Sequence, residues 1–188
     1  ISPLDGRYAK DCTEISTIFS EFNLIKSRLY VEIYWFIYLS KQKQIKELPS
    51  LSKKDQSFLT NILQDFTPSE AMKVKKIESI TKHDVKAVEY YLKGKMKKNK
   101  FLKKYVEFVH IFCTSEDINN LSYALMIKDG LALLIKQLKL ITNDINKKSL
   151  QYSKAAMLSH THGQAATPTT MGKEMKIFYK RLDQLIKN

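Results

Sequence analysis

The chain is poor in the residues that make turns, with 5 Gly and 4 Pro in 188 positions. Sandwiches, barrels and open α/β sheets spend many such residues on tight connections, so the shortage argues against them. Cysteine is scarce too. Cys12 and Cys113 form neither a CxxC pair nor a metal-ligand spacing, which fits a reduced, cytoplasmic protein. No apolar run approaches the ~20 residues of a membrane span. The most apolar stretch, Tyr30–Leu39, contains Glu32, and no signal-peptide pattern precedes it. Arginine is nearly missing: of 32 basic residues, only Arg7, Arg28 and Arg181 carry a guanidinium. Surfaces built to grip phosphates or base edges normally use that planar fork. The formal charge of +13 therefore reads as lysine on solvated helix faces and argues against nucleic acid as a partner. A basic module that binds nucleic acid or an acidic surface is the alternative.

What the chain does have is apolar material, 44% of it, spaced for helices. Ile15, Ile18, Phe22, Ile25, Leu29, Ile33 and Phe36 step by three and four, which predicts one long helix over 14–40. Helical spacing resumes over 51–66. Thr67-Pro68-Ser69-Glu70 combines a capping box with proline at the first helical position and predicts a new start. Another helix is expected from Asp84, ending in the lysine-rich run 95–100. Phe101–Phe112 reads as a short aromatic helix. From Thr114 the apolar spacing persists for about 35 residues, or roughly 50 Å of helix at ~1.5 Å per residue, a length that belongs in a bundle. Residues 154–166 lose the period. Thr167-Pro168 then opens a last helix that reaches Asn188 without a cap. No segment has a strand period, so the expected class is all-α.

Three polar clusters interrupt this pattern. Lys82-His83-Asp84 sets an imidazole beside a carboxylate that can orient it. Thr114-Ser115-Glu116-Asp117 places hydroxyls at a helix N-terminus, where free N–H groups and the helix dipole favour anions. His160-Thr161-His162-Gly163-Gln164 is irregular and sits between two long apolar helices; an imidazole titrates near neutrality and suits proton transfer. Each cluster also has a plain structural reading, as a helix cap or a surface loop. His160-x-His162 lacks a third ligand, so no metal is expected. No glycine-rich phosphate loop or nucleophile elbow occurs, and no cofactor is expected.

Four blocks taken together resemble the adenylosuccinate lyase family of the fumarase/aspartase superfamily. They are Ser2-Pro3-Leu4-Asp5-Gly6-Arg7-Tyr8, the stretch from Thr81 to Tyr90, the stretch from Cys113 to Ser122, and the stretch from Ser159 to Pro168 running into Gly172-Lys173-Glu174-Met175. The resemblance implies a small helical domain over 1–100, then the first part of a central helical-bundle domain over 101–188, within a homotetramer with shared active sites. It implies β-elimination of fumarate from adenylosuccinate, a purine nucleotide, and from the related carboxamide ribotide. It implies His162 as general acid and His83 as its catalytic partner. Arg7, Tyr8, Lys82, Asp84, Thr114, Ser115, Thr161 and Gln164 are then substrate-binding residues. Lys82, His160 and Ala165 stand where the family usually has Asn, Arg and Pro. The serine-bearing loop that supplies the family's base is missing, so residues 1–188 alone are expected to be inactive. Argininosuccinate lyase and fumarase are the neighbouring alternatives.

Overall fold

A computed structural model describes residues 2–187. These residues form seven α-helices, two 3₁₀ turns and one two-stranded hairpin. The class is all-α, as the apolar spacing predicts. By compactness the chain divides into Ile1–Asp129 and Gly130–Asn188.

In the first unit the expected helix over 14–40 is two helices, α1 (Thr13–Ile18) and α2 (Glu21–Leu39). Ser20 adopts an extended backbone, and its hydroxyl accepts from the Asn23 N–H at 3.2 Å. That is an N-cap, which apolar periodicity cannot register. Leu29, Ile33 and Phe36 of α2 are fully buried, and burying a ring like Phe36 contributes roughly 2–3 kcal/mol. They pack in one cluster with Leu59 of α3 (Lys53–Gln64), Val74 of α4 (Pro68–Thr81) and Ala87, Val88 and Leu92 of α5 (Asp84–Met96).

The start of α4 falls where predicted, with Pro68 in the first turn, but the capping box does not form. Thr67 Oγ1 bonds Ser69 Oγ instead. The Glu70 carboxylate is drawn to Tyr91 Oη at 2.5 Å, Lys73 Nζ at 2.5 Å and Lys95 Nζ at 2.7 Å. Those three donors hold its pKa at about 2.

The expected aromatic helix over 101–112 is two 3₁₀ turns, Leu102–Lys104 and Val106–Phe108. Asn99 Oδ1 accepts from the N–H groups of Phe101 and Leu102, which tightens the first turn. His110 and Phe112 have φ of 67° and 62°, which no continuing right-handed helix allows.

Helix α6 (Ser115–Gln151) realises the long bundle helix. On its later part Leu131, Leu134, Leu138 and Ile141 remain exposed. In the second unit the period-free stretch is an antiparallel hairpin of β1 (Ala156–Thr161) and β2 (Gln164–Thr170). This corrects two expectations: a strand pair exists, and the last helix, α7 (Met171–Lys187), begins four residues after Thr167. Pro168 lies in β2 opposite Leu158, a place open to proline because a two-stranded sheet has only edges. Thr170 caps α7 by accepting from the Lys173 N–H. The expected uncapped end at Asn188 lies outside the described residues.

Gly172 sets the packing of the second unit. Its N–H donates to Tyr152 O at 2.9 Å, and a Cβ there would lie 2.3 Å from Ser149 O and 2.6 Å from Ser153 Cα. Both neighbours are backbone and cannot swing aside. Gly172→Ala is therefore expected to force α7 away from the end of α6 and cost roughly 1–3 kcal/mol, read as a lower Tm of the full-length protein. An unchanged melting curve would refute this close approach.

Candidate active site

His83 precedes α5 and serves as its N-cap. Its Nδ1 accepts from the Lys86 N–H at 3.2 Å. A neutral ring that accepts through Nδ1 carries its proton on Nε2. That nitrogen lies 3.3 Å from Ser115 Oγ, so the ring donates to the hydroxyl at the first position of α6. Two clusters 32 positions apart in sequence thus meet at the N-termini of two helices.

Thr114 is the residue before α6. Its N–H donates to Asp117 Oδ2 at 2.7 Å and its hydroxyl to the same oxygen at 3.1 Å. The two bonds hold the Asp117 carboxyl below its usual range. They also fix the direction of the first turn, leaving the Ser115 hydroxyl aimed at His83. Asp84 opens α5 with both carboxylate oxygens engaged. Oδ1 accepts from the Val85 N–H at 2.9 Å, and Oδ2 pairs with Arg28 Nη2 at 2.6 Å. Burial pushes the Asp84 carboxyl up, but the Val85 amide and the Arg28 guanidinium outweigh it and hold it below the ordinary value. Lys82 ends α4 with φ 55° in the left-handed region. Asparagine takes that conformation readily and lysine does so at a cost of about 1 kcal/mol, a backbone reason for the residue the family usually has here.

The segment leading into Thr114 is held from α2. Trp35 Nε1 donates to Ile111 O at 2.8 Å, and His110 Nδ1 lies 2.6 Å from Glu32 Oε1. Glu32 is wholly buried, and its Oε2 has no hydrogen-bond partner. Beside this segment a groove of about 520 Å³ is lined by aromatic and aliphatic side chains, among them Tyr34, Trp35, Phe112 and Leu121, with Asp117 at its edge. Its walls are largely apolar, which suits an aromatic or aliphatic group better than a charged one.

The other expected residues stand elsewhere. Arg7 and Tyr8 lie on an exposed run of turns closed by bonds such as Tyr8 N–H to Pro3 O at 2.9 Å. Among the described residues no hydrogen bond or ion pair joins either of them to the His83 cluster. In the second unit His162 and Gly163 are the two loop residues of the hairpin, with φ of 52° and 76°. Positive φ at both positions is the type I′ pattern that two-residue hairpins favour. The loop puts the His162 imidazole, exposed in this chain, at the tip. Thr161 and Gln164 face each other across the first rung of the ladder, and His160 pairs with Ala165. Among the described residues no group of three His, Cys, Asp or Glu is placed to hold a metal, and no helix is long and apolar enough to cross a membrane.

Two residues escape motif reading. Arg28 and Glu32 sit within the apolar spacing of α2 yet are almost completely buried. The available signal is composition. In a chain that uses lysine almost everywhere, an arginine flanked by Ile25 and Leu29 marks a need for two directed bonds.

A family model described as a lyase matches residues 6–188. The chain belongs to that lyase family. An adenylosuccinate lyase of Legionella pneumophila (strain Corby) is 51% identical over 183 residues, which is 97% of this chain and 40% of the relative. One of Haemophilus influenzae is 43% identical over 188 residues, 100% of this chain and 41% of the relative. The chain thus spans about two fifths of the length of the relatives it matches. A fumarate lyase from Mesorhizobium sp. BNC1 superposes with a TM-score of 0.72 at 18% identity, over 92% of this chain and 38% of that one. A β-carboxy-cis,cis-muconate cycloisomerase from Acinetobacter calcoaceticus sp. ADP1 gives 0.72 at 16% identity, over 93% and 39%. At such identities the likeness concerns the fold alone, and that fold is the helical one of the fumarate lyases.

Proposed function

We propose that the full-length lyase cleaves adenylosuccinate, and the related succinyl carboxamide ribotide, to fumarate and the corresponding purine-pathway nucleotide. The observation that carries this reading is the 3.3 Å approach of His83 Nε2 to Ser115 Oγ. It joins two of the four blocks on which the resemblance to adenylosuccinate lyases rests.

The chemistry divides among the residues as follows. A base removes a proton beside a substrate carboxylate, the C–N bond breaks as the C=C bond forms, and an acid protonates the departing nitrogen. Growing charge on the carboxylate needs fixed donors. Ser115 is proposed to supply one, with His83 holding its hydroxyl in place, and Thr114 another once the substrate carboxylate takes the place of Asp117 on its N–H and hydroxyl. His162 is the proposed acid, flanked by Thr161 and Gln164. Lys82 and Asp84, on either side of His83, are assigned to the substrate by the resemblance, Asp84 acting through the place it gives His83 because both its oxygens are engaged. Arg7 and Tyr8 are assigned to the nucleotide. The base belongs to a part of the full-length protein outside these residues, so residues 1–188 alone should release no fumarate.

The exposed apolar row of Leu131, Leu134, Leu138 and Ile141 supports packing against further bundle helices, from the rest of the protein and from other copies in a homotetramer. We assign 1–100 and 101–188 to separate domains of that assembly, and place the enzyme in the cytoplasm. Fumarate release by the full-length protein, followed by absorbance with adenylosuccinate, the succinyl carboxamide ribotide, argininosuccinate and malate in parallel, tests the reading. Turnover confined to adenylosuccinate and the ribotide is expected. Turnover confined to either of the other two would overturn it.

A further inference from the structure

We propose that Arg28 is a positioning residue that sets the His83–Ser115 contact; the proposal rests on the function given above. Its side chain is 6% exposed. From α2 it reaches the starts of two other helices at once. Nη2 pairs with Asp84 Oδ2 at 2.6 Å, and Nε donates to Asn119 Oδ1 at 2.9 Å. Asp84 follows His83 directly. Asn119 lies four residues beyond Ser115, one turn along the same face of α6.

One rigid plane therefore fastens the N-terminus of α5 and the first turns of α6 to the same point. The spacing of Nε and Nη2 on that plane is fixed by covalent geometry, so it fixes the separation of Asp84 from Asn119. His83 and Ser115 inherit that separation, and their polar atoms meet at 3.3 Å. The tie lies behind the reacting groups: Asp84 Oδ1 is taken by the Val85 N–H and Oδ2 by Arg28. A lysine at position 28 presents a single ammonium and cannot hold both partners in one geometry. Burial makes the arrangement rigid, since Ile25 and Leu29 on either side are themselves core residues.

The test uses the full-length protein with adenylosuccinate, with rates normalised to the folded fraction from circular dichroism. Arg28→Met is expected to lower kcat about 100-fold and to change KM less than about threefold, the signature of misplaced rather than missing binding groups. Arg28→Lys should stay closer to the Met variant than to the parent. Asn119→Ala removes only one arm and should lower kcat about tenfold. Asn119→Asp keeps an acceptor for Nε and should recover most of that loss. A parent-like kcat in Arg28→Met or Asn119→Ala would overturn the proposal, as would full recovery with lysine at 28. Should Arg28→Met fail to fold, the two Asn119 variants decide. If the parent protein does not cleave adenylosuccinate, the functional reading fails alone. The tie is then judged from the crystal structure of Asn119→Ala. His83 Nε2 and Ser115 Oγ moved beyond hydrogen-bond reach support it, and an unchanged separation refutes it.

Discussion

Replacing His162 with asparagine in the full-length protein is expected to lower turnover of adenylosuccinate by roughly 10²–10⁴-fold, the usual worth of a positioned acid. Asparagine is the informative choice because of the backbone. His162 has φ 52° in the two-residue hairpin loop, a conformation that asparagine adopts readily and alanine does not. The loop, the ladder behind it and the Gly163 position are kept, and only the titrating ring is lost. KM should move far less than kcat, since the acid acts on the leaving nitrogen as the bond breaks. The rate should also lose the limb of its pH profile that reports the acid. Near-normal turnover in this variant, with the parent active, would remove His162 from the acid role and leave the remainder of the site standing.

The largest expected effect on stability comes from His110→Gly. Glycine takes φ 67° without strain, so the variant reads the loss of the ring and not the loss of the backbone turn. Glu32 is wholly buried, with Oε1 on His110 and no hydrogen-bond partner for Oε2. Removing His110 leaves that carboxylate with no partner on either oxygen, and stranding one half of a buried pair costs about 3–5 kcal/mol. The effect should depend on pH. The hydrogen bond to Glu32 raises the His110 pKa above its ordinary value, against the opposing effect of burial. A pKa raised by folding gives a contribution complete below the unfolded value of about 6.5 and lost as pH rises through the folded value. Urea denaturation of parent and variant across that range should therefore show the gap between them narrowing toward alkaline pH. A gap constant from pH 6 to 9 would show that the pair contributes no ionic stabilisation.

Helix positions followed from local information. Apolar spacing located α3, α5 and the long α6, and Pro68 marked the start of α4, because one buried face per helix leaves a period that survives in the chain. The same reasoning failed wherever a polar side chain decides the geometry. Ser20 splits the first helix by accepting one N–H. Asn99 turns an aromatic run into 3₁₀ turns. The hairpin over 156–170 left no period of two because its faces are largely exposed, so nothing selected alternating apolar residues. Glu70 shows the conflict most directly. The sequence casts it as a capping partner of Thr67, yet Lys73 one turn along α4 and Tyr91 and Lys95 from α5 draw it away from the local N–H.

The candidate site divides along the same line. Three polar clusters were legible as interruptions of helical spacing, since polar residues are disfavoured on a buried face and therefore break it. By itself the amino-acid sequence determined the helical class and the lyase family, and it marked the polar clusters proposed to carry the chemistry. Only the tertiary structure decided that His83 Nε2 points at Ser115, that Asp117 rather than an anion engages the Thr114 N–H, and that Arg28 and Glu32 stand behind them. Apart from the Thr114–Asp117 turn, those are contacts between residues distant in the chain, fixed by how α2 packs against α5 and the start of α6, and no local pattern encodes a distance across that core.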